Sequence, residues 1–94
     1  MAVARVVTFD GVSKQRMDEM KREMGEGGRP DEVPATEIVV LHDSEAERSV
    51  VILFFDSEAD YTRGDEALNA MPASDTPGRR ASVARYDVAF RMTD

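Results

Sequence analysis

Three side chains of this sequence could take part in acid–base chemistry or form a hydrogen bond to a ligand: His42, Tyr61 and Tyr86. His42 is the only histidine, and an imidazole can gain or lose a proton near neutral pH. The tyrosines are the only two phenols, and each could donate a hydrogen bond or a proton to a bound molecule. All three also have ordinary structural roles, as a strand-end histidine bonded to a neighbouring carboxylate and as core aromatics with a solvated hydroxyl. We therefore treat them as candidate ligand-binding residues and assign no catalytic residue.

Other common chemistries are disfavoured by the residue types present. The chain has no cysteine and one histidine, which excludes disulfides and thiolate nucleophiles and disfavours zinc sites. Asp43, Glu45 and Glu47 alternate, but they lack the glycine and the terminal glutamate of a calcium loop. The Gly27-Gly28 pair follows no strand and opens no helix, unlike a phosphate-binding loop. We expect no metal and no cofactor.

The charge of the chain is concentrated in its middle. The formal net charge is −7 over 94 residues, and residues 25–60 carry two basic and ten acidic groups. Such a surface disfavours nucleic acid, whose binding requires a basic face. No apolar run approaches the length of a membrane span, and no signal peptide is recognisable. We expect one domain over residues 1–94, no membrane partner and a cytoplasmic location.

Four segments have the composition of strands, at residues 3–9, 36–42, 50–55 and 81–92. The third is the longest apolar run of the chain, and β-branched and aromatic residues fill it. Because side chains alternate along a strand, Val50, Ile52 and Phe54 face one way and Val51, Leu53 and Phe55 face the other. Both faces are apolar, so both must be covered. In the first strand Arg5 shares a mostly apolar face, and Asp87 of the fourth strand is a candidate partner.

Two amphipathic segments connect these strands. The first is predicted to start after an N-cap at Ser13, to present Met17, Met20 and Met24 as one apolar stripe, and to end at Gly25. The methionine stripe could be core or an adaptable ligand wall. The second is predicted to start after Ser57 and to end at Pro72. Its inward stripe comprises Tyr61, Gly64, Leu68 and Met71.

The order βαββαβ predicts an α+β, ferredoxin-like fold, with a four-stranded antiparallel sheet and two helices on one face. Strands one and three are then central. The other face of the sheet lies open in an isolated protomer, although it carries large apolar side chains. Leaving such a face in water forgoes several kcal/mol, at roughly 1.5–3 kcal/mol for each large side chain. We therefore expect a homodimer whose two sheets pack face to face. The sequence leaves open which face of residues 50–55 meets the partner.

The element order, the length, the doubly apolar third strand and the closing segment Tyr86-Asp87-Val88-Ala89-Phe90 resemble the dimeric α/β-barrel superfamily. Over about residues 3–92 the chain is most similar to antibiotic-biosynthesis-monooxygenase-like domains. The resemblance implies a homodimeric barrel and, in each protomer, a cleft between helices and sheet for small apolar or aromatic molecules. Members include cofactor-independent monooxygenases, haem-degrading enzymes and isomerases. Catalytic members often use asparagine, tryptophan and histidine, whereas this chain has no tryptophan and its only asparagine is Asn69.

Three functions remain open at this point. The first is a homodimer that binds a small apolar or aromatic molecule between helices and sheet. The second is a cofactor-independent monooxygenase or isomerase, in which His42 or a tyrosine would handle protons. The third is a structural or regulatory dimer with a filled cleft. An enclosed cavity between the helices and the sheet that Tyr61, Tyr86 or His42 reaches would favour the first two, and a solid core would favour the third.

Overall fold

A computed structural model of the chain describes residues 2–27, 33–70 and 76–93. The elements follow one another as β1 (Val3–Asp10), α1 (Lys14–Gly27), β2 (Glu37–Asp43), β3 (Arg48–Phe55), α2 (Glu58–Asn69) and β4 (Arg79–Asp87). This order confirms the predicted βαββαβ arrangement.

The four strands form one antiparallel sheet in the order β2-β3-β1-β4. The central strands are β1 and β3, as the ferredoxin-like order predicts, and β3 contains the longest apolar run of the chain. The register places Val7 opposite Val51 of β3 and opposite Val83 of β4. The alternation of side chains therefore continues without a break from one strand to the next in the middle of the sheet.

Both helices lie on the same face of the sheet. Met17 of α1 packs with Val7 and Phe9 of β1, and Tyr61 and Leu68 of α2 pack against the β3 side chains Leu53 and Phe55. In the register these β1 and β3 residues belong to one face. The sequence left open which of the two β3 faces meets the helices, and these contacts assign it. Val51, Leu53 and Phe55 face the helices, and Val50, Ile52 and Phe54 face away.

The starts of the helices follow the sequence prediction. The hydroxyl of Ser13 accepts a hydrogen bond from the Arg16 backbone N–H at 3.1 Å, and the hydroxyl of Ser57 accepts one from the Asp60 N–H at 3.2 Å. The predicted end of α1 at Gly25 was wrong, since the helix continues to Gly27. Glycine permits a left-handed helix end but does not impose one. Helix α2 ends at Asn69 with Ala70 as its C-cap, and the predicted end at Pro72 and the stripe residue Met71 lie outside the described residues.

Two expectations about β4 were also wrong. The strand ends at Asp87 rather than near residue 92, because its partner β1 begins at Val3, directly opposite. The carboxylate of Asp87 binds Arg85 at 3.3 Å and not Arg5. Arg85, rather than Asp87, is the residue opposite Arg5 in the register, and α2 supplies the partner of Arg5 instead.

The sheet face away from the helices, called the open face below, is apolar over much of its area. Its apolar residues on the four strands are Ala4, Val6, Val39, Leu41, Val50, Ile52, Phe54, Ala84 and Tyr86. Leu41 and Tyr86 are 52% and 58% exposed, and beyond β4 Phe90 and Met92 are 80% and 85% exposed. The Arg91 guanidinium lies 4.1 Å from the centroid of the Phe54 ring.

No helix of the described residues is long and apolar enough to cross a membrane.

Gly64 allows α2 to approach the sheet closely. A Cβ atom at this position would lie 2.5 Å from the Cε1 atom of Phe55, whose ring is fully buried on central strand β3. At Gly25 of α1, by contrast, an added Cβ meets nothing within 4 Å.

We expect Gly64→Ala to destabilise the fold by about 1–3 kcal/mol, because the cost of overpacking exceeds the gain in helix propensity. Gly25→Ala is the matched control, and it should leave stability unchanged or raise it by up to ~1 kcal/mol. Urea unfolding followed by circular dichroism measures both. Equal stability changes in the two variants would contradict the close-approach explanation.

Candidate ligand-binding site

A cleft of about 450 Å³ lies between the helices and the sheet. It is called the helix–sheet cleft below. Its walls are mostly apolar and come from all four strands, both helices and the segments that precede β2 and β4. The apolar lining residues are Val7, Phe9, Met20, Met24, Val33, Ile38, Val40, Val51, Leu53, Leu68 and Pro77. The polar lining residues are Arg5, Arg16, Glu23, Thr76 and Arg80.

The methionine stripe of α1 divides between core and cleft. Met17 is buried against Val7, Phe9 and Val12, so the core interpretation holds for it. Met20 and Met24, one and two turns further along the helix, line the helix–sheet cleft, and Met24 is exposed. Unbranched, polarizable methionine side chains fit apolar ligands of varied shape. The core interpretation therefore applies to Met17, and the ligand-wall interpretation stays a prediction for Met20 and Met24.

A buried guanidinium sits at the floor of the cleft. Arg5 is 3% exposed, and its Nε donates to the Oδ1 of Asp65 at 2.8 Å. Its Nη2 donates to the Oδ1 of Asn69 at 3.1 Å, and the Nδ2 of Asn69 donates to the Oδ2 of Asp65 at 3.3 Å. Asp65 and Asn69 are one turn apart on α2, so they face the sheet together. The network satisfies a buried charge that would otherwise be costly.

Two further arginines reach the same cleft from its rim. The Nη1 of Arg80, near the start of β4, donates to the Oδ1 of Asn69 at 2.7 Å. The Nη2 of Arg16 on α1 donates to the carbonyl of Thr76 at 3.3 Å, and its Nη1 lies 3.5 Å from a carboxylate oxygen of Glu19. The cleft thus combines apolar walls with a few fixed cationic groups.

His42 lies in a different place from this cleft. It lines a second cleft with residues that include Lys14, Met17 and Asp18, called the His42 cleft below. Its Nε2 lies 2.8 Å from the carbonyl oxygen of Val12. A carbonyl only accepts, so Nε2 carries the hydrogen in this bond.

The partner expected for His42, a neighbouring carboxylate, was wrong. Asp43 instead accepts hydrogen bonds from the backbone N–H groups of Glu45 and Ala46, each at 3.1 Å. These bonds turn the carboxylate towards its own β2–β3 connection. A side chain that follows His42 directly on a strand also points to the opposite face of the sheet.

Tyr61 packs against the core near the start of α2. Its ring meets Phe55 edge to face with the centroids 5.6 Å apart, and the guanidinium carbon of Arg85 lies 5.8 Å from the Tyr61 ring centroid. Burial raises the pKa of the Tyr61 phenol, and the nearby Asp65 carboxylate raises it further, whereas Arg5 and Arg85 oppose the shift. The phenol therefore keeps its proton at neutral pH and can donate a hydrogen bond there.

Tyr86 lies on the open face of the sheet, opposite Ala4 of β1. The three residues singled out from the sequence are consequently not brought together, because the sheet separates Tyr86 from His42 and Tyr61. None of them is among the described residues that line the helix–sheet cleft. A ligand-binding role for each stays a prediction.

Sequence reasoning did not identify Arg16, Arg80 or Asn69 as site residues. The available signal was the polar pair Asp65 and Asn69, spaced i, i+4 beside the apolar stripe of α2. Together with an arginine on the apolar face of β1, that pair indicates a buried polar contact. The positions of Arg16 and Arg80 depend on tertiary structure and left no comparable pattern. No three histidine, aspartate or glutamate side chains of the described residues come together as metal ligands.

Comparison with known structures shows the same fold elsewhere. A crystal structure from Chloroflexus aurantiacus J-10-fl, provisionally described as an antibiotic biosynthesis monooxygenase, superposes with a TM-score of 0.63. The match covers 99% of this chain and 98% of the other, at 11% sequence identity. No family model matches the sequence, and no curated protein sequence matches it significantly. The fold-level resemblance to antibiotic-biosynthesis-monooxygenase-like proteins is confirmed, and at this identity the likeness concerns the fold alone.

The Arg5 network gives a direct stability prediction. Asp65→Asn removes the carboxylate that balances a buried guanidinium, and loss of one partner of a fully buried pair costs about 3–5 kcal/mol. Because the Asp65 side chain is 31% exposed, we expect a smaller loss, about 2 kcal/mol. Urea unfolding measures it.

Asp18→Asn is the matched control. Asp18 forms a surface pair with Lys21 at 4.0 Å, and its removal should cost less than ~0.5 kcal/mol. An Asp65→Asn variant as stable as Asp18→Asn would show that Arg5 does not depend on this carboxylate.

Proposed function

We propose that residues 1–94 form a single domain that binds a small apolar or aromatic molecule in the helix–sheet cleft. The observation that carries this proposal is the cleft itself. Its volume of about 450 Å³ falls within the ~300–1,000 Å³ typical of small-molecule sites. Such sites combine apolar walls with a few convergent polar groups, and the methionine and aliphatic walls with Arg5, Arg16 and Arg80 have this composition.

We also propose that the protein is a homodimer joined through the open face. Exposed Leu41 and Tyr86 belong to a contiguous apolar surface on which a second sheet could pack. Phe90 and Met92 add large apolar side chains beyond the end of β4. In a two-fold arrangement the same residues serve both protomers. The helix–sheet cleft lies on the opposite side of the sheet, so each protomer would keep its own cleft.

The alternative activity is a cofactor-independent monooxygenase or isomerase reaction. It is favoured by the description of the structural neighbour from Chloroflexus and by the position of Asn69 beside the cleft. Val40 lines both the helix–sheet cleft and the His42 cleft. A proton-handling role for His42 therefore requires a substrate that extends past Val40.

The cytoplasmic location expected from the sequence stays a prediction.

A neutral, apolar fluorescent probe tests ligand binding. We expect N-phenyl-1-naphthylamine to gain fluorescence with the wild-type protein, because the cleft shields it from water. Val40→Phe narrows the cleft from β2 and should weaken probe binding at least several-fold. Leu41→Phe is the matched control, since the adjacent side chain lies on the open face and should leave binding unchanged.

Two results would contradict this assignment. The absence of any fluorescence gain with the wild-type protein would favour the third function, a structural or regulatory dimer without a ligand. A loss caused by Leu41→Phe and not by Val40→Phe would place the probe on the open face.

A second pair of neighbouring substitutions tests the dimer. Leu53 is buried beneath the helices, and Phe54 lies on the open face. Leu53→Asp should unfold the protomer, because it adds the cost of burying a carboxylate in the core to the ~2–5 kcal/mol cost of removing a buried leucine side chain. The Phe54→Asp variant should have the circular dichroism spectrum of the wild-type protein but should be a monomer.

Size exclusion with light scattering measures the mass. We expect the wild-type protein to elute near twice 10.4 kDa at micromolar concentration. A wild-type monomer, or a Phe54→Asp variant that stays dimeric, would argue against packing through the open face.

A further inference from the structure

The three guanidiniums around the helix–sheet cleft differ in how their charge is balanced. Arg5 is matched by the Asp65 carboxylate at 2.8 Å. Arg16 has the carboxylates of Glu19 at 3.5 Å and Glu23 at 3.7 Å. For Arg80, no carboxylate lies within ion-pair distance among the residues that the structure describes.

Arg80 is nevertheless held in position. The Oδ1 of Asn69 accepts from the Nη1 of Arg80 at 2.7 Å and from the Nη2 of Arg5 at 3.1 Å. A neutral amide oxygen orients a guanidinium without cancelling its charge. Asn69 is itself fixed by its bond to Asp65. Among the residues that the structure describes, the rim of the cleft therefore carries an oriented positive charge with no carboxylate partner, on a protein whose net charge is −7.

We propose that the ligand of the helix–sheet cleft is an amphipathic monoanion, with an apolar body and a carboxylate that binds Arg80. This inference rests on the proposed function and adds the chemical class of the ligand. The apolar walls take the body, and the planar guanidinium matches a carboxylate through parallel N–H···O bonds.

The charges around the site select against other ligand classes. A cationic head group would be repelled by the guanidiniums of both Arg80 and Arg16. A dianion would bring a second negative charge close to Glu23, which also lines the cleft and has only a longer contact with Arg16. A neutral ligand would fill the walls but leave the Arg80 charge without an anionic partner. The overall acidity of the protein also disfavours anions elsewhere on its surface.

Octanoate and 1-octanol test the proposal, because they share an alkyl chain and differ in the head group. Isothermal titration calorimetry, below the concentration at which octanoate forms micelles, should give octanoate the higher affinity by about tenfold or more. That advantage should shrink as salt is added, because the rim charge is exposed to solvent.

The matched variants are Arg80→Gln and Arg79→Gln, on neighbouring residues of β4 that lie on opposite faces of the sheet. Arg79 stands opposite Asp10, away from the cleft lining. Arg80→Gln should weaken octanoate binding about tenfold and change octanol binding less than about twofold. Arg79→Gln should change neither by more than about twofold, and Arg80→Lys should retain part of the preference for octanoate. Circular dichroism checks that each variant is folded.

The outcomes separate this inference from the proposed function. Equal affinities for octanoate and octanol, or an Arg80→Gln variant that binds octanoate like wild type, would overturn the carboxylate assignment and leave the apolar cleft intact. An equal loss of octanoate affinity in Arg79→Gln would show that the effect comes from general surface charge, and it would also overturn the carboxylate assignment. Failure of both ligands and of the neutral naphthylamine probe to bind would overturn the proposed function as well.

Discussion

The guanidinium of Arg5 is a positive charge inside an apolar layer, and the arrangement of α2 follows from the need to pair it. Central strand β1 presents the group, and Asp65 and Asn69 of α2 bind it. With these two residues over Arg5, Gly64 comes against Phe55, so the close approach of the helix and the ion pair belong to one packing arrangement. Asn69 then extends the network to Arg80 at the rim of the cleft. The same polar contacts therefore join the fold to the proposed ligand site.

The sheet has two apolar faces with different surroundings. On one face the helices cover Leu53 and Phe55, and the part that they cover less closely forms the helix–sheet cleft. On the other face, most of the apolar side chains have only partial cover, and the Arg91 guanidinium supplies part of it above Phe54. The neighbours Val40 and Leu41 illustrate the division, since one lines the cleft and the other lies on the open face. A small-molecule site and a dimer interface can thus occupy opposite sides of one sheet without competing.

Local patterns in the sequence were sufficient for the element order, the alternation of side chains along the strands and both helix starts. Alternation in residues 50–55 and the serines at 13 and 57 act through neighbours in the chain, so they are readable without a structure. The partner of Arg5, the end of β4 and the bond from His42 to Val12 depend on register and on where a helix lies over the sheet. The same is true of Arg16 and Arg80, which converge on the cleft from α1 and β4 although 64 positions separate them in the sequence. Sequence patterns identify the layers, and tertiary contacts decide which polar groups meet between them.

In the proposed complex, the helix–sheet cleft holds an amphipathic molecule whose anionic group binds Arg80. A crystal structure of the wild-type protein with octanoate tests it most directly. We expect the carboxylate within hydrogen-bond distance of the Arg80 guanidinium and the alkyl chain between Met20 and Leu68. Octanoate bound on the open face, or bound in the cleft with its carboxylate directed away from Arg80, would contradict this binding mode.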